Sequence, residues 1–267
     1  MTDQEKCLVR EINAIQNQVI CGDFYQELPK IRTKTVDMIL TDLPYNMTSC
    51  KWDEKIDLRQ MFGYFKHVIK DGGATVLTSS QPFTSMLVMS NYEMFNHEWI
   101  WQKTRLTNFL SLHTQPAKIH ESVLVFGKNI KYNPIKWRVT EDKIDKRKTI
   151  NDPITNKDGY VGIIKRVRKK DDGSRFPLSI INIPNKNHKS LHPTQKPVEL
   201  FEYLIKTYTN EGDLVLDCCA GSGTTAIACL NTNRKYICIE KDEDYFKIMQ
   251  DRIAKHIESS RDVKWLS

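Results

Sequence analysis

Short apolar, β-branched runs alternate with longer amphipathic stretches along the chain. That alternation predicts an α/β protein: a doubly wound, mostly parallel sheet covered by helices. Strands are expected at 19–21, 36–40, 74–78, 98–101, 123–126, 214–216 and 236–239, a seven-stranded sheet. Helices are expected at about 56–70, 82–91, 197–210, 224–231 and 242–257. In the last of these, Tyr245, Ile248, Met249, Ile253 and Ile257 recur at helical spacing, a stripe that faces a core. After Phe126 the pattern breaks into turn signals such as Asn133-Pro134, Asp152-Pro153, Asp158-Gly159 and Asp171-Asp172-Gly173. A short strand is expected at 179–183 before Pro184. Residues 128–190 therefore read as an insertion between two halves, 1–127 and 191–267, of one sheet.

With 267 residues and 40% hydrophobic content, the chain is long enough for one large domain carrying such an insertion. No stretch approaches the roughly 20 apolar residues of a membrane helix. The opening Met1-Thr2-Asp3-Gln4-Glu5-Lys6 lacks the apolar centre of a secretion signal, so a cytoplasmic location is expected. Seven irregularly spaced cysteines, with Cys218 and Cys219 adjacent, suit a reducing compartment and show no metal-binding spacing. The net charge of +7 is unevenly placed. Lys128 to Lys189 holds 17 Lys/Arg against 7 Asp/Glu, a net of +10, and the remainder is left at −3. A near-neutral body with one basic segment is what a polyanion-binding protein needs, although a solvated lysine-rich loop has the same composition.

Leu214-Val215-Leu216 ends in Asp217, followed by Cys218-Cys219-Ala220-Gly221-Ser222-Gly223-Thr224-Thr225 and an apolar helix. Glycines between a strand and a helix let the backbone approach a ligand closely. Seventeen residues beyond Gly223, Glu240 ends the next expected strand, where an acid can accept from ribose hydroxyls. Together these features point to nucleoside binding. The third glycine of the dinucleotide fingerprint is missing, and no Gly-Lys-Ser/Thr follows, so neither NAD nor a P-loop is indicated. A second segment, Asp42-Leu43-Pro44-Tyr45-Asn46, closes the strand at 36–40. It holds a carboxylate and an aromatic ring where open α/β sheets place ligands, although an ordinary strand-ending turn could carry the same residues.

These segments carry a resemblance to a family. Asp42-Leu43-Pro44-Tyr45 resembles motif IV of amino-methyltransferases, and Asp217 to Thr225 resembles their motif I. His192-Pro193-Thr194-Gln195-Lys196-Pro197 is similar to motif X, and Glu121 to Lys128 to the strand before the target-recognition region. The order of motif IV, recognition region, motif X and motif I is that of β-group S-adenosylmethionine-dependent DNA amino-methyltransferases, and the resemblance of a motif IV headed by aspartate, where cytosine-N4 members more often carry serine, implies the adenine-N6 type. The resemblance covers about 19–128 and 188–257. It implies the Rossmann-like methyltransferase fold, with 128–190 as target-recognition insertion. Two departures stand out. Leu43 replaces a proline whose backbone carbonyl is the working group, and Cys218-Cys219 replace Pro-Phe, removing an apolar wall near the cofactor. The two cysteines read as small core residues rather than redox groups.

The resemblance implies S-adenosyl-L-methionine as cofactor and an exocyclic base nitrogen, N6 of adenine, as acceptor. Asp42 and the Leu43 carbonyl would accept the two amino hydrogens and aim the lone pair, Pro44 would fix the turn, and Tyr45 would stack on a flipped base. Direct transfer to nitrogen needs no covalent nucleophile. Asp217, Ala220, Gly221, Ser222, Gly223 and Thr224 would face the methionine part and Glu240 the ribose. Asp23 would accept from the adenine amino group of the cofactor, although a helix-capping role suits it too. Thr194 and Lys196 would help hold the cofactor's carboxylate, with His192 shaping that loop. Lys165, Arg166 and Arg168, in the densest basic run, suit DNA phosphates. Lys103 and Asn108 are candidates for substrate contact. Double-stranded DNA is the expected partner, and the resemblance leaves room for a homodimer and a partner restriction endonuclease. Competing readings are cytosine-N4 methylation and a catalytically silent DNA-binding subunit. Related RNA and protein-glutamine enzymes usually carry the glycine motif first, and here it comes second.

Overall fold

A computed structural model describes residues 17–45, 56–144, 171–185 and 195–264. Chain contacts divide it into two compact units: residues up to Asn133 with those from Ser179 onward, and Pro134–Leu178.

The larger unit follows the apolar pattern. Its strands are β1 (Gln18–Cys21), β2 (Val36–Asp42), β3 (Ile69–Ser79), β4 (Phe95–Gln102) and β5 (His120–Phe126). The strands β8 (Ile180–Asn182), β9 (Leu214–Asp217) and β10 (Lys235–Glu240) complete it, and β6 (Trp137–Arg138) and β7 (Ser174–Arg175) belong to the smaller unit. Among the described residues they form one eight-stranded sheet in the order β1-β10-β9-β2-β3-β5-β4-β8. β5 pairs antiparallel with both neighbours, and every other pairing is parallel. The expectation of seven strands is thus corrected to eight. The added strand returns from the inserted region to pair with β4 through Ile100↔Ile180 and Trp101↔Ile181. It has one buried side chain, Ile181 beside Trp101, so it is too short to announce its place in the sheet by alternation. Trp101 Nε1 secures it further by donating to the Ile183 carbonyl at 2.8 Å.

Helices cover both faces. Met38 and Leu40 of β2 point to one face and Ile39 to the other, as the two-residue period of a strand requires. On the first face lie α4 (Val198–Tyr208), α5 (Thr224–Asn231) and α6 (Glu243–Lys264), burying Leu200, Leu204, Ala226, Met249 and Ile253. On the second lie α2 (Leu58–Val68) and α3 (Phe83–Ser90), burying Met61, Phe65, Phe83 and Leu87. A short helical turn, α1 (Phe24–Glu27), follows β1. Asp57 caps α2 by accepting from the Gln60 amide at 3.0 Å. β3 begins five residues before its expected start, because Gly72 and Gly73 look like breakers yet sit inside the strand. α6 runs beyond the expected 257, where the sequence continues without an apolar period.

Among the described residues the smaller unit contains an antiparallel ribbon, β6 (Trp137–Arg138) and β7 (Ser174–Arg175). Gly173 precedes β7 at φ +76°, where a side chain would press on Ile144. The basic run Lys165, Arg166 and Arg168 lies outside the described residues.

Candidate active site

The two halves of the chain meet where β2 pairs with β9 through Met38↔Val215 and Ile39↔Leu216. Their carboxyl ends carry Asp42 and Asp217, and this is the edge where open α/β sheets bind ligands.

Asp42 is held from three elements. Its Oδ1 accepts from the Tyr45 hydroxyl at 2.7 Å and from the Thr78 hydroxyl at the end of β3. Its Oδ2 accepts from the Lys196 ammonium, which reaches it from the segment before α4. A carboxylate offers about four lone-pair sites. Among the described residues three are used, which leaves one acceptor position on Oδ2. Tyr45 is fixed as well, its ring 5.3 Å from that of Phe83 on α3. Burial pushes the Tyr45 phenol well up, and the nearby Asp42 and Glu121 carboxylates add to this, so it stays a donor. Leu43 is buried in the core of the second face and anchors the segment's path.

Behind Asp42 runs a chain of alternating charge. The Lys196 ammonium also lies 3.5 Å from Oε2 of Glu121, whose Oε1 accepts from Lys103. Burial draws the Lys196 ammonium down, but Asp42 and Glu121 outweigh it and leave the group above its ordinary range. Lys196 is therefore a fixed positive charge at the carboxylate. Lys103 is buried against Glu121 with its ammonium 5.1 Å from the Trp101 ring. Asn108 braces a loop: it accepts from the Lys118 amide at 2.6 Å and donates to the Pro116 carbonyl at 2.8 Å. Thr78 and Glu121 were not singled out as site residues in the sequence. The signals that could have found them were a hydroxyl and an acid at the open ends of two strands.

The glycine turn is built differently. Gly223 precedes α5 in the left-handed region at φ 78°, and a Cβ there would come within 2.6 Å of Met249 Cγ. That combination of backbone angle and close packing requires glycine. Asp217 is buried: Oδ1 accepts from the Cys219 amide at 3.1 Å and Oδ2 from the Thr225 hydroxyl. Burial raises its pKa to about 6, against the lowering effect of bonds from Thr225, Thr41 and Cys219. Ala220 donates its amide to the Ile239 carbonyl at 3.0 Å. Ser222 donates to Gln195 Oε1 at 3.2 Å, and Thr224 to the Lys196 carbonyl at 3.4 Å, tying the glycine turn to the segment that carries Lys196. Arg252 of α6, which the sequence did not signal, donates to the Ser222 carbonyl at 3.0 Å and to both hydroxyls at 3.2 Å.

Glu240 ends β10 and accepts from the Gly221 amide at 2.6 Å and the Asp242 amide at 2.9 Å. Burial raises its pKa, and those amides oppose the rise. The Gly22 amide donates to the Glu240 carbonyl at 2.9 Å, which sets Asp23 beside it. Asp23 caps α1 through the Tyr25 amide at 2.9 Å, and its Oδ2 lies 3.4 Å from Lys241 Nζ. Thr194 and His192 lie outside the described residues. Cys218, Cys229 and Cys238 are buried, and burial pushes the Cys238 thiol well up, so it packs as a small neutral side chain.

A doubly wound sheet with a glycine turn and strand-end acids on one side of its switch point, and an Asp-Leu-Pro-Tyr carboxylate on the other, defines the class of Rossmann-like methyltransferases. Residues 36–251 match the family described as DNA methylase, of N6/N4 type, and the chain belongs to that family. It is 26% identical over 253 residues to the type II methyltransferase M.HpaI of Haemophilus parainfluenzae, covering 90% of this chain and 74% of the relative. It is also 26% identical over 260 residues to the DNA adenine methyltransferase YhdJ of Escherichia coli, covering 89% and 83%. The crystal structure of the M1.HpyAVI–SAM complex superposes with a TM-score of 0.57 at 24% identity, over 88% of this chain and 98% of that one. Among the described residues, no helix is long and apolar enough to cross a membrane.

Proposed function

We propose that the protein methylates the N6 amino group of adenine in double-stranded DNA, with S-adenosyl-L-methionine as methyl donor. The observation that carries this reading is Asp42, held by three donors with one acceptor position left, beside the glycine turn at the sheet's switch point.

The residues present fit the donor. Glu240 and Asp23 place two carboxylates at neighbouring strand ends, the acceptors that a ribose diol and an adenine amino group call for. The turn from Ala220 to Gly223 carries no side-chain bulk at its glycines, so a ligand can approach its backbone closely, and Asp217 shapes that turn from beneath through Cys219 and Thr225. The cofactor supplies a methyl group on a sulfonium.

An aromatic amine is a poor nucleophile because its lone pair is delocalised. The open acceptor position on Asp42 Oδ2 takes one amino hydrogen, and the Leu43 carbonyl takes the other. Both interactions disfavour the planar amine and aim the lone pair. Lys196 acts as a positioning residue: its charge-assisted bond fixes Oδ2. Tyr45 gives the flipped base an aromatic face. Most of the rate then comes from orientation and preorganised charge.

The basic run Lys165, Arg166 and Arg168 supplies phosphate contacts. Replacing all three with Ala is expected to lower the salt slope of DNA binding by about 3, and an unchanged slope would remove the run from the interface. A companion restriction endonuclease and a homodimer remain part of this proposal, to be tested by copurification and sedimentation. The function itself is tested by incubating the protein with labelled S-adenosylmethionine and unmethylated genomic DNA, followed by nucleoside mass spectrometry. N6-methyladenine is the expected product. N4-methylcytosine would keep the mechanism and change the base, and absence of both would overturn the proposal.

A further inference from the structure

β4 and β5 are joined by residues 103–119, a loop that leaves the same sheet edge as Asp42. Its two stems are bonded next to the groups that hold the catalytic carboxylate. Lys103 pairs with Glu121, which shares Lys196 with Asp42. Lys118 bonds the Ser80 hydroxyl, two residues beyond the Thr78 that donates to Asp42. Asn108 clamps the loop across Pro116 and Lys118, and the Thr107 amide donates to the Lys118 carbonyl at 3.0 Å. The loop is thus braced from within and registered to the active site.

Its tip is the reverse of what such bracing usually presents. Phe109 is 72% exposed and Leu110 95% exposed, with Leu106, Leu112 and Ile119 partly exposed around them. From Lys103 to His120 the sequence holds Lys103, Arg105, Lys118, His113 and His120, and no acidic residue. An apolar point on a stem free of negative charge matches one surface in particular, the base stack between two phosphate backbones.

We propose that Phe109 and Leu110 form a wedge that enters the duplex at the target adenine and fills the stack when that base is extruded. The inference rests on the protein acting on a base within duplex DNA. An amino group inside a stacked pair cannot reach Asp42, so opening the stack is part of the reaction's cost, and an apolar wedge offsets it by replacing the lost stacking surface. The bracing of both stems fixes where the base emerges relative to Asp42.

The test compares the wild type with the Phe109→Ala/Leu110→Ala double variant, after the methylated sequence has been mapped. One substrate is a duplex carrying that site, and the other is the same duplex with the target adenine opposite an abasic position. The variant is expected to lose at least about tenfold in initial rate on the paired duplex and to stay within about twofold on the unpaired one, where extrusion costs least. A Phe109→Leu/Leu110→Met variant, which keeps apolar bulk, is expected to retain most of the rate on both. Equal loss on both substrates, or no loss on either, would overturn the wedge. Conversion of a wild-type dimer to a monomer by the double variant would also overturn it, assigning the patch to a second copy of the chain. A wild type inactive on both substrates would instead remove the methylation reading on which the wedge depends.

Discussion

The two sides of the switch point hold their functional groups by opposite means. Around Asp42 the contacts are between side chains: Tyr45, Thr78 and Lys196 grip the carboxylate, and Glu121 and Lys103 extend the charge chain behind it. Around the glycine turn, main-chain groups dominate: Cys219 and Gly221 amides bind buried acids, and Gly223 takes an angle that other residues resist. The contrast suits the two tasks proposed for these sides. A cofactor pocket has one shape to keep, which backbone geometry fixes. A carboxylate that receives an incoming amino group needs an open acceptor position, and side-chain donors can leave one unfilled. Substitutions on the first side should therefore impair chemistry more than binding, and substitutions on the second should impair affinity or folding more than chemistry.

The largest expected effect is at Asp42. Asp42→Ala is expected to lower single-turnover methyl transfer by about 10²- to 10³-fold, the order seen when a preorganised polar group is removed at a reacting centre. Cofactor affinity measured by calorimetry is expected to stay within about threefold. Next comes Lys196→Met, which keeps side-chain length but leaves Asp42 and Glu121 without their shared cation. A loss of roughly 10²-fold in kcat is expected, with KM for S-adenosylmethionine little changed and partial recovery in Lys196→Arg. Loss confined to cofactor affinity would return Lys196 to the cofactor's carboxylate and weaken the contrast between the two sides. Glu240→Ala should do the reverse, weakening cofactor binding by roughly tenfold, as removal of a charged hydrogen-bond acceptor does, with little change in transfer once saturated. Unchanged affinity would take Glu240 off the ribose.

The smallest effect is a pH slope. Asp217 titrates near 6 in the folded chain and near 3.9 unfolded, so the folded state binds the extra proton between those values. Stability contributed by this group is present at low pH and lost as pH rises through about 6. Relative to Asp217→Asn, the wild type should lose Tm as pH is raised across that window and run parallel above it. A parallel course throughout would mean that Asp217 is not raised by burial.

Much of the fold was legible because period-two and helical apolar patterns report burial directly. The apolar runs at 36–40 and 214–216 lie in neighbouring strands β2 and β9, and the stripe containing Met249 and Ile253 packs into the core. β8 was legible as a strand and not as part of the sheet, since its place depends on Trp101 and Ile183 rather than on its own three residues. At the site, the Asp-Leu-Pro-Tyr segment and the glycine turn were readable because their geometry is encoded in adjacent residues. The contact of Lys196 with Asp42 was not, because it joins positions 154 residues apart. Arg252 was hidden for a similar reason: it lies on a helix whose apolar stripe is the pattern one notices, and its contacts are 28 and 30 residues away.

In the proposed reaction the Asp42 carboxylate, on its Lys196 support, activates an adenine amino group for methylation. The most direct measurement is single-turnover transfer from labelled S-adenosylmethionine to unmethylated DNA by the wild type and by Asp42→Ala, with nucleosides resolved by mass spectrometry and cofactor Kd measured on both proteins. N6-methyladenine from the wild type, its loss in the variant and an unchanged Kd are the predicted results. Methyladenine formed by the variant at the wild-type rate would contradict the account.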